Sequence, residues 1–211
     1  MKMKTGTEKL KTALLFGSFN PLHEGHLAIL KYVLENCRDC RAGIVVSPEN
    51  PFKKGIGVNA ASRLEAVRRT VKETGLDIDV LDVEFSLPQP LYTINTLRYL
   101  RDGNPDREYV LVVGADCLAQ IPQWHEGLQL LREFEVWAYP RQGSDVEATA
   151  AQLNALEGIR SVTVLRGELH NISSTEIRNR RTRCPDWQGR VGFGFPRNGI
   201  RDDKSGDKSR K

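Results

Sequence analysis

Six short runs rich in β-branched and aromatic residues recur along this chain, with a helical pattern between each successive pair. That alternation restricts the fold more than any single residue does. The runs are ALLF (13–16), AGIVV (42–46), DIDVLDV (77–83), EYVLVV (108–113), FEVWAY (134–139) and SVTVL (161–165); between them lie LAILKYVLENC, ASRLEAVRRTVKET, TINTLRYLRD, EGLQLLREF and VEATAAQLNALEG. Several runs are apolar at consecutive positions, as strands covered by helices on both faces must be. The expected fold is α/β: a doubly wound, mostly parallel, Rossmann-like sheet with helices on both faces. Such sheets bind ligands beyond the carboxyl ends of their strands, where the strand order reverses.

With 211 residues, 39% apolar and 27% charged, the chain has the length and composition of one soluble globular domain. No stretch approaches the ~18–20 apolar residues of a membrane span. The opening MKMKTGTEKLKT carries lysines, but ALLF is too short for a leader's apolar core, so the expected location is cytoplasmic. The net charge of +4 is unevenly placed: of 31 Lys/Arg and 27 Asp/Glu, nine and four lie in residues 181–211, leaving 22 and 23 for the rest. A near-neutral body with a basic tail does not point to nucleic acid as a partner. Of the four cysteines, Cys37 and Cys40 have CxxC spacing. No second CxxC follows and no strand and turn precede them, so they read as free thiols near a helix end rather than a redox pair or half a zinc site.

The first stretch that carries chemistry is FGSFNPLHEGHL (16–27): strand, glycine turn, then a helix beginning near Gly25. A helix N-terminus presents unpaired N–H groups and the positive end of a dipole, so it attracts phosphate. Gly17 would let the backbone approach a ligand, with Ser18 and Phe19 offering main-chain contacts. His23 and His26 would add imidazole N–H donors. HEGH is not HExxH and no third ligand follows at metal spacing, so zinc is disfavoured; two histidines and a glycine at one strand–helix junction also argue against a lone core histidine. The second stretch is NISSTEIRNR (171–180), where Ser173, Ser174 and Thr175 precede an acidic first turn and Arg178 lies three residues after Thr175. Alone it is a capped helix; beside the first motif it becomes a second helix N-terminus aimed at phosphate.

Together these residues resemble the HIGH-type nucleotidylyltransferase superfamily, and within it the nicotinate-nucleotide adenylyltransferases. VSPENPFK (46–53) resembles the family's proline-rich loop ending in a lysine, here Lys53; YTINTLRYL (92–100) its Y-T-x-x-T-L segment; VGADCLAQIPQWHEGLQLL (113–131) its G-A-D…W segment; and YPRQG (139–143) its arginine turn. The resemblance covers residues 12 to 180. It implies a nucleotidylyltransferase domain over 1–182, followed by a basic Gly/Pro-rich tail over 183–211 that is expected to be partly disordered. The implied reaction joins nicotinic acid mononucleotide to ATP, giving deamido-NAD and pyrophosphate, by in-line attack of the mononucleotide phosphate on the α-phosphorus with no covalent enzyme intermediate. Positioning and charge stabilisation would carry the catalysis.

In this scheme His23, His26 and Arg178 are catalytic. Gly17, Ser18, Phe19, Lys53, Ile172, Ser173, Ser174 and Thr175 hold ATP and its phosphates, and Thr93, Asp116, Trp124, His125 and Arg141 hold the mononucleotide. Mg2+ would arrive on ATP with its own waters, with no protein side chain as a metal ligand. Arg63 and Thr96 also match the family's pattern; Arg63 reads as structural, and Thr96 equally as packing or as a ligand contact. The resemblance fails after ISSTEIR, where the family's V-x-x-Y-I…L-Y helix has no counterpart. Other readings remain open here: a nicotinamide mononucleotide or phosphopantetheine acceptor, a non-catalytic nucleotide-binding protein, and a homo-oligomeric assembly.

Overall fold

The computed structural model describes residues 9–48 and 59–167. β1 (Leu10–Gly17), α1 (Glu24–Asn36), β2 (Cys40–Val46), α2 (Ala60–Thr74) and β3 (Ile78–Leu81) come first. A second series follows: α3 (Thr93–Gly103), β4 (Arg107–Gly114), the one-turn α4 (Ala115–Leu118), α5 (Gly127–Glu133), β5 (Glu135–Tyr139), α6 (Val146–Asn154) and β6 (Val162–Val164). The sheet order is β3-β2-β1-β4-β5-β6, and every pair is parallel. The doubly wound architecture is as expected from the sequence, and among the described strands it is wholly parallel. Lys53, Ile172, Ser173, Ser174, Thr175, Arg178 and the boundary between 1–182 and 183–211 lie outside the described residues.

Strand side chains alternate between the two faces of the sheet, and here each face has its own core. Ala13 and Leu15 of β1 join Val110 and Val112 of β4 under Leu27, Leu30 and Val33 of α1 and Leu64, Val67 and Val71 of α2. On the other face Leu14 and Leu111 pack with Ile94 and Leu97 of α3, Leu130 and Leu131 of α5, and Leu153 of α6. The consecutive apolar residues in β1 and β4 are thus two interleaved sets. Helix ends follow local rules: Asn59 Oδ1 accepts from the Ala61 N–H at 2.8 Å to start α2, and Gly75 ends that helix with φ 68°.

Three strand boundaries differ by two or more residues from the sequence reading, the start of β2 at Cys40 rather than 42 among them. β1 begins at Leu10 rather than 13, because its early residues pair with β2 and β4. The run 77–83 is strand only over Ile78–Leu81; its partner β2 ends at Val46, one residue past the Val45–Leu81 pair, and Val83–Phe85 turns into a 3₁₀ helix. Cys37 follows α1 and Cys40 begins β2 as free thiols. Burial pushes both above the usual thiol range, Cys40 to about 11, so neither is an activated nucleophile. No helix among the described residues is long and apolar enough to cross a membrane.

Between β4 and β5 the chain makes a 3₁₀ turn, Ile121–Gln123, and enters α5 at the buried Gly127. Glu133 ties α5 to α3 by accepting from Arg98 at 2.6 Å and Arg101 at 2.9 Å; chiefly through Arg98, its carboxyl is held down at about 2. A Cβ on Gly127 would fall 1.8 Å from the Ile121 carbonyl oxygen and 2.9 Å from its carbon, both main-chain atoms that cannot swing aside. Gly127→Ala therefore has to push the 121–126 turn outward. The expected cost is roughly 1–3 kcal/mol, as for overpacking elsewhere, read as a lower urea midpoint at an unchanged slope.

Candidate active site

From β1 the chain winds out through β2 and β3; from β4 it winds the other way through β5 and β6. The loops leaving β1 and β4 therefore diverge, and the carboxyl edge opens between them. β1 delivers Gly17, Ser18 and Phe19 to that edge, and β4 delivers Asp116. β5, beside β4, delivers Arg141.

His23 is the N-cap of α1, with extended backbone at φ −142° and ψ 170°. Its carbonyl accepts from the N–H groups of His26 (2.9 Å) and Leu27 (3.2 Å), and its own N–H donates to His26 Nδ1 at 3.4 Å. A cap and the third residue of the helix it starts lie on the same side, which explains the spacing of three. The two rings stack with centroids 3.7 Å apart and planes 26° apart. Phe19 meets the His26 ring edge-on at 5.1 Å. A Cβ on Gly17 would lie 3.1 Å from the Phe19 ring, so the close approach that this glycine permits is made by Phe19.

Electrostatics keep His23 uncharged. The residue is 7% exposed, and among the described residues its buried Nδ1 has no hydrogen-bond partner. Burial first, and the positive field of Arg141 second, lower its pKa from 6.5 to about 4. Arg141 thus acts on His23 through its positive field. Arg141 is itself ion-paired with Asp116, which joins the ends of β4 and β5, and its turn is closed by Ser144, whose Oγ donates to the Arg141 carbonyl at 2.6 Å.

Trp124 and His125 sit in the turn that Gly127 closes, where the Gly127 N–H donates to the Trp124 carbonyl at 3.0 Å. Trp124 is half-buried against the core under α3 and α5. His125 stacks on Tyr92, with centroids 3.9 Å and planes 16° apart, immediately before Thr93 at the start of α3. Thr93 and His125 are thereby brought to one place, as are Asp116 and Arg141. The sequence reading missed Tyr92, although it is the first residue of the YTINTLRYL segment. Ser47 and Glu84 were missed as well. Glu84 is buried, accepts from Thr96 Oγ1 at 2.9 Å and bonds to the Ser47 side chain; burial raises its pKa. Thr96 is 1% exposed, so it packs. Arg63 touches main chain: its guanidinium donates to the carbonyls of Ser18, Ser47 (3.1 Å) and Pro48 (2.6 Å).

A helix N-terminus, two stacked imidazoles and a guanidinium form a set of N–H donors suited to phosphate oxygens. Among the described residues no three His, Cys, Asp or Glu side chains cluster as metal ligands.

Residues 14–180 match the cytidylyltransferase-like family. Proteins named probable nicotinate-nucleotide adenylyltransferase from Cytophaga hutchinsonii and Bacteroides fragilis are each 36% identical to this chain over 171 residues. Those alignments cover 81% of this chain and, respectively, 85% and 81% of the two proteins. The nicotinic acid mononucleotide adenylyltransferase of Plasmodium falciparum shares the fold at 19% identity. Complexed with NaAD it gives a TM-score of 0.68 over 80% of this chain and 82% of that one. Complexed with APC it gives 0.64 over 81% and 83%.

The state of His23 sets an acid limit on stability. The unfolded chain takes up this proton near pH 6.5, the folded one only near pH 4. The folded state thus binds fewer protons in between, and stability rises with pH across that interval. The contribution is complete above about pH 6.5 and falls by on the order of 3 kcal/mol as pH drops towards 4. Urea melts from pH 7 to 4.5 should show His23→Asn losing clearly less stability than the unsubstituted protein; parallel losses would contradict a buried neutral His23.

Proposed function

This chain belongs to the nicotinate-nucleotide adenylyltransferase family, within the cytidylyltransferase-like proteins, and on that premise we propose how it joins nicotinic acid mononucleotide to ATP. The observation that carries the reading is the stacked His23–His26 pair at the N-terminus of α1, beside the reversal of strand order and in the positive field of Arg141. An oxygen of the mononucleotide phosphate bonds to the α-phosphorus of ATP as the bond to the pyrophosphate oxygen breaks. Pyrophosphate and deamido-NAD leave. The attacking oxygen already carries negative charge, so no protein nucleophile is needed.

What remains for the protein is alignment and charge stabilisation. His23 and His26 donate N–H groups to the α- and β-phosphate oxygens, supported by the positive end of the α1 dipole. Ser18 and Phe19 contribute main-chain contacts beside them. Lys53, Ser174, Thr175 and Arg178 hold the triphosphate and the outgoing pyrophosphate, with Ile172 and Ser173 at the adenine. Trp124 covers the pyridine ring, while main-chain N–H groups near Thr93 and His125, with Arg141, receive the nicotinate carboxylate. Asp116 lies where its carboxylate can accept from ribose hydroxyls.

The groups at the crevice fit Mg2+ delivered on the nucleotide. They are N–H donors, and the Asp116 carboxylate is occupied by Arg141, so oxyanions rather than a bare cation are their natural ligands. When bound, Mg2+ neutralises triphosphate charge and keeps most of its waters. We place the reaction in the cytoplasm.

Pyrophosphate release with ATP and Mg2+ tests the proposal directly. Fast release with nicotinic acid mononucleotide and little with its amide is expected; preference for the amide would remove the carboxylate role from Thr93, His125 and Arg141. His26→Ala should lower kcat by roughly 100-fold or more, as loss of an oxyanion donor does, with an unchanged far-ultraviolet circular dichroism spectrum. Trp124→Ala should raise KM for the mononucleotide several-fold more than KM for ATP. Equal rises would reduce Trp124 to packing.

A further inference from the structure

We infer that Arg63 is a positioning residue for this reaction: it orients the Ser18–Phe19 peptide and, through Phe19, sets the His26 ring. The inference rests on the proposed adenylyl transfer for its kinetic consequence, and on geometry for the rest. Arg63 lies in α2 and is 3% exposed. Its hydrogen bonds among the described residues run to three main-chain carbonyls, those of Ser18, Ser47 and Pro48, and burial acts on its charge with no carboxylate opposing it. Burying a guanidinium among carbonyls alone is an expensive way to join two loops, and its planar fork makes the directions specific. An ammonium on a flexible stem cannot hold three carbonyls in one plane.

The consequence follows from the peptide unit. Ser18–Phe19 is a trans peptide, so its C=O and N–H point in opposite directions. Aiming the Ser18 carbonyl at Arg63 turns the Phe19 N–H away from α2. Phe19 is then held at φ 42°, in the left-handed region, which a non-glycine residue occupies only when its surroundings require it. Its ring lies over Gly17 and meets His26 edge-on. The Ser47 N–H donates to the Gly17 carbonyl at 2.9 Å, so the loop pinned by Arg63 is fastened on both sides of Ser18. Releasing the Ser18 carbonyl frees that peptide to rotate, and with it the Phe19 ring that braces His26.

Glu84 provides the comparison. It is as buried as Arg63 and bonds to the Ser47 side chain, but it has no bond to Ser18 or Phe19. Arg63→Lys, Arg63→Met and Glu84→Gln in the full-length chain separate positioning from stability. The readouts are pyrophosphate release at saturating substrates, melting temperature, and the imidazole proton resonances of the four histidines, assigned by substitution. Arg63→Lys should lower kcat roughly 10- to 100-fold, the scale of a small misplacement. It should also move the His26 resonance while leaving that of His125 in place. Arg63→Met should do the same more strongly if it folds; if it does not, Arg63→Lys decides. Glu84→Gln should lower the melting temperature while kcat stays within about twofold and His26 does not move. Unchanged turnover or an unmoved His26 resonance in Arg63→Lys overturns the inference, and so does Glu84→Gln reproducing its effects. If the unsubstituted protein releases no pyrophosphate, the proposed reaction fails, and the His26 resonance alone then decides whether Arg63 positions the ring.

Discussion

The pairing of β1 with β4 is the constraint on which the ligand end of this molecule depends. The two strands run parallel from Leu10 opposite Arg107 to Leu15 opposite Val112, so both deliver their loops to the same edge. Because the chain leaves β1 towards β2 and leaves β4 towards β5, the two crossovers diverge from that edge. The junction is rigid because Leu14, Leu111, Val110 and Val112 are essentially fully buried, and they feed cores on opposite faces. Histidines carried on loops alone would wander. Here the first helix residue follows a buried N-cap, and the loop behind it is fastened to β2.

The polar groups beneath the crevice are handled in two different ways. Arg63 is a buried cation whose two terminal nitrogens donate to carbonyls, with its pKa lowered by burial. Glu84 is a buried carboxyl with hydroxyl partners and a raised pKa. Both bond to Ser47, one through its main-chain oxygen and the other through its side chain. Neither neutralises the other by direct contact; each is used for direction rather than charge. Such bonds add little net stability but penalise alternative loop conformations heavily, since each would strand a buried charge or carbonyl. For Arg63, whose bonds reach the Ser18 carbonyl, that constraint extends to the site; for Glu84 it stops at Ser47 and Thr96.

The sheet was legible in the sequence because its signal is local. Two-sided burial turns β1 and β4 into continuous apolar runs, and the helices between them keep their own period. The end of β3 was not legible, since it is set by where β2 stops, a property of another segment. His23 and His26 were visible as a pair but not as a stack, which depends on α1 starting at Glu24 with His23 outside it. Gly17 was legible as a place of close approach, but not that the Phe19 ring lies against it. Tyr92 against His125, and Arg63 on Ser18, join residues 33 and 45 positions apart, and no periodicity encodes such contacts. What the sequence held for them was residue type alone: a buried arginine in a helix that otherwise shows the core leucine and valines, and a tyrosine before a helix start.

The choice of histidine at the cap follows from the field around it. A helix N-terminus disfavours cations, burial disfavours any charge, and Arg141 adds a further positive potential. A lysine at position 23 would face all three. A neutral imidazole is a hydrogen-bond donor that none of them penalises, and Asp116 offsets Arg141 while no ligand is bound. In the proposed reaction an incoming polyphosphate would reverse the balance: its negative charge would favour a proton on His23, while the nicotinate carboxylate would compete with Asp116 for Arg141. Under that proposal positive charge would gather at the cap only with phosphate bound, and the fold is spared a standing cation there.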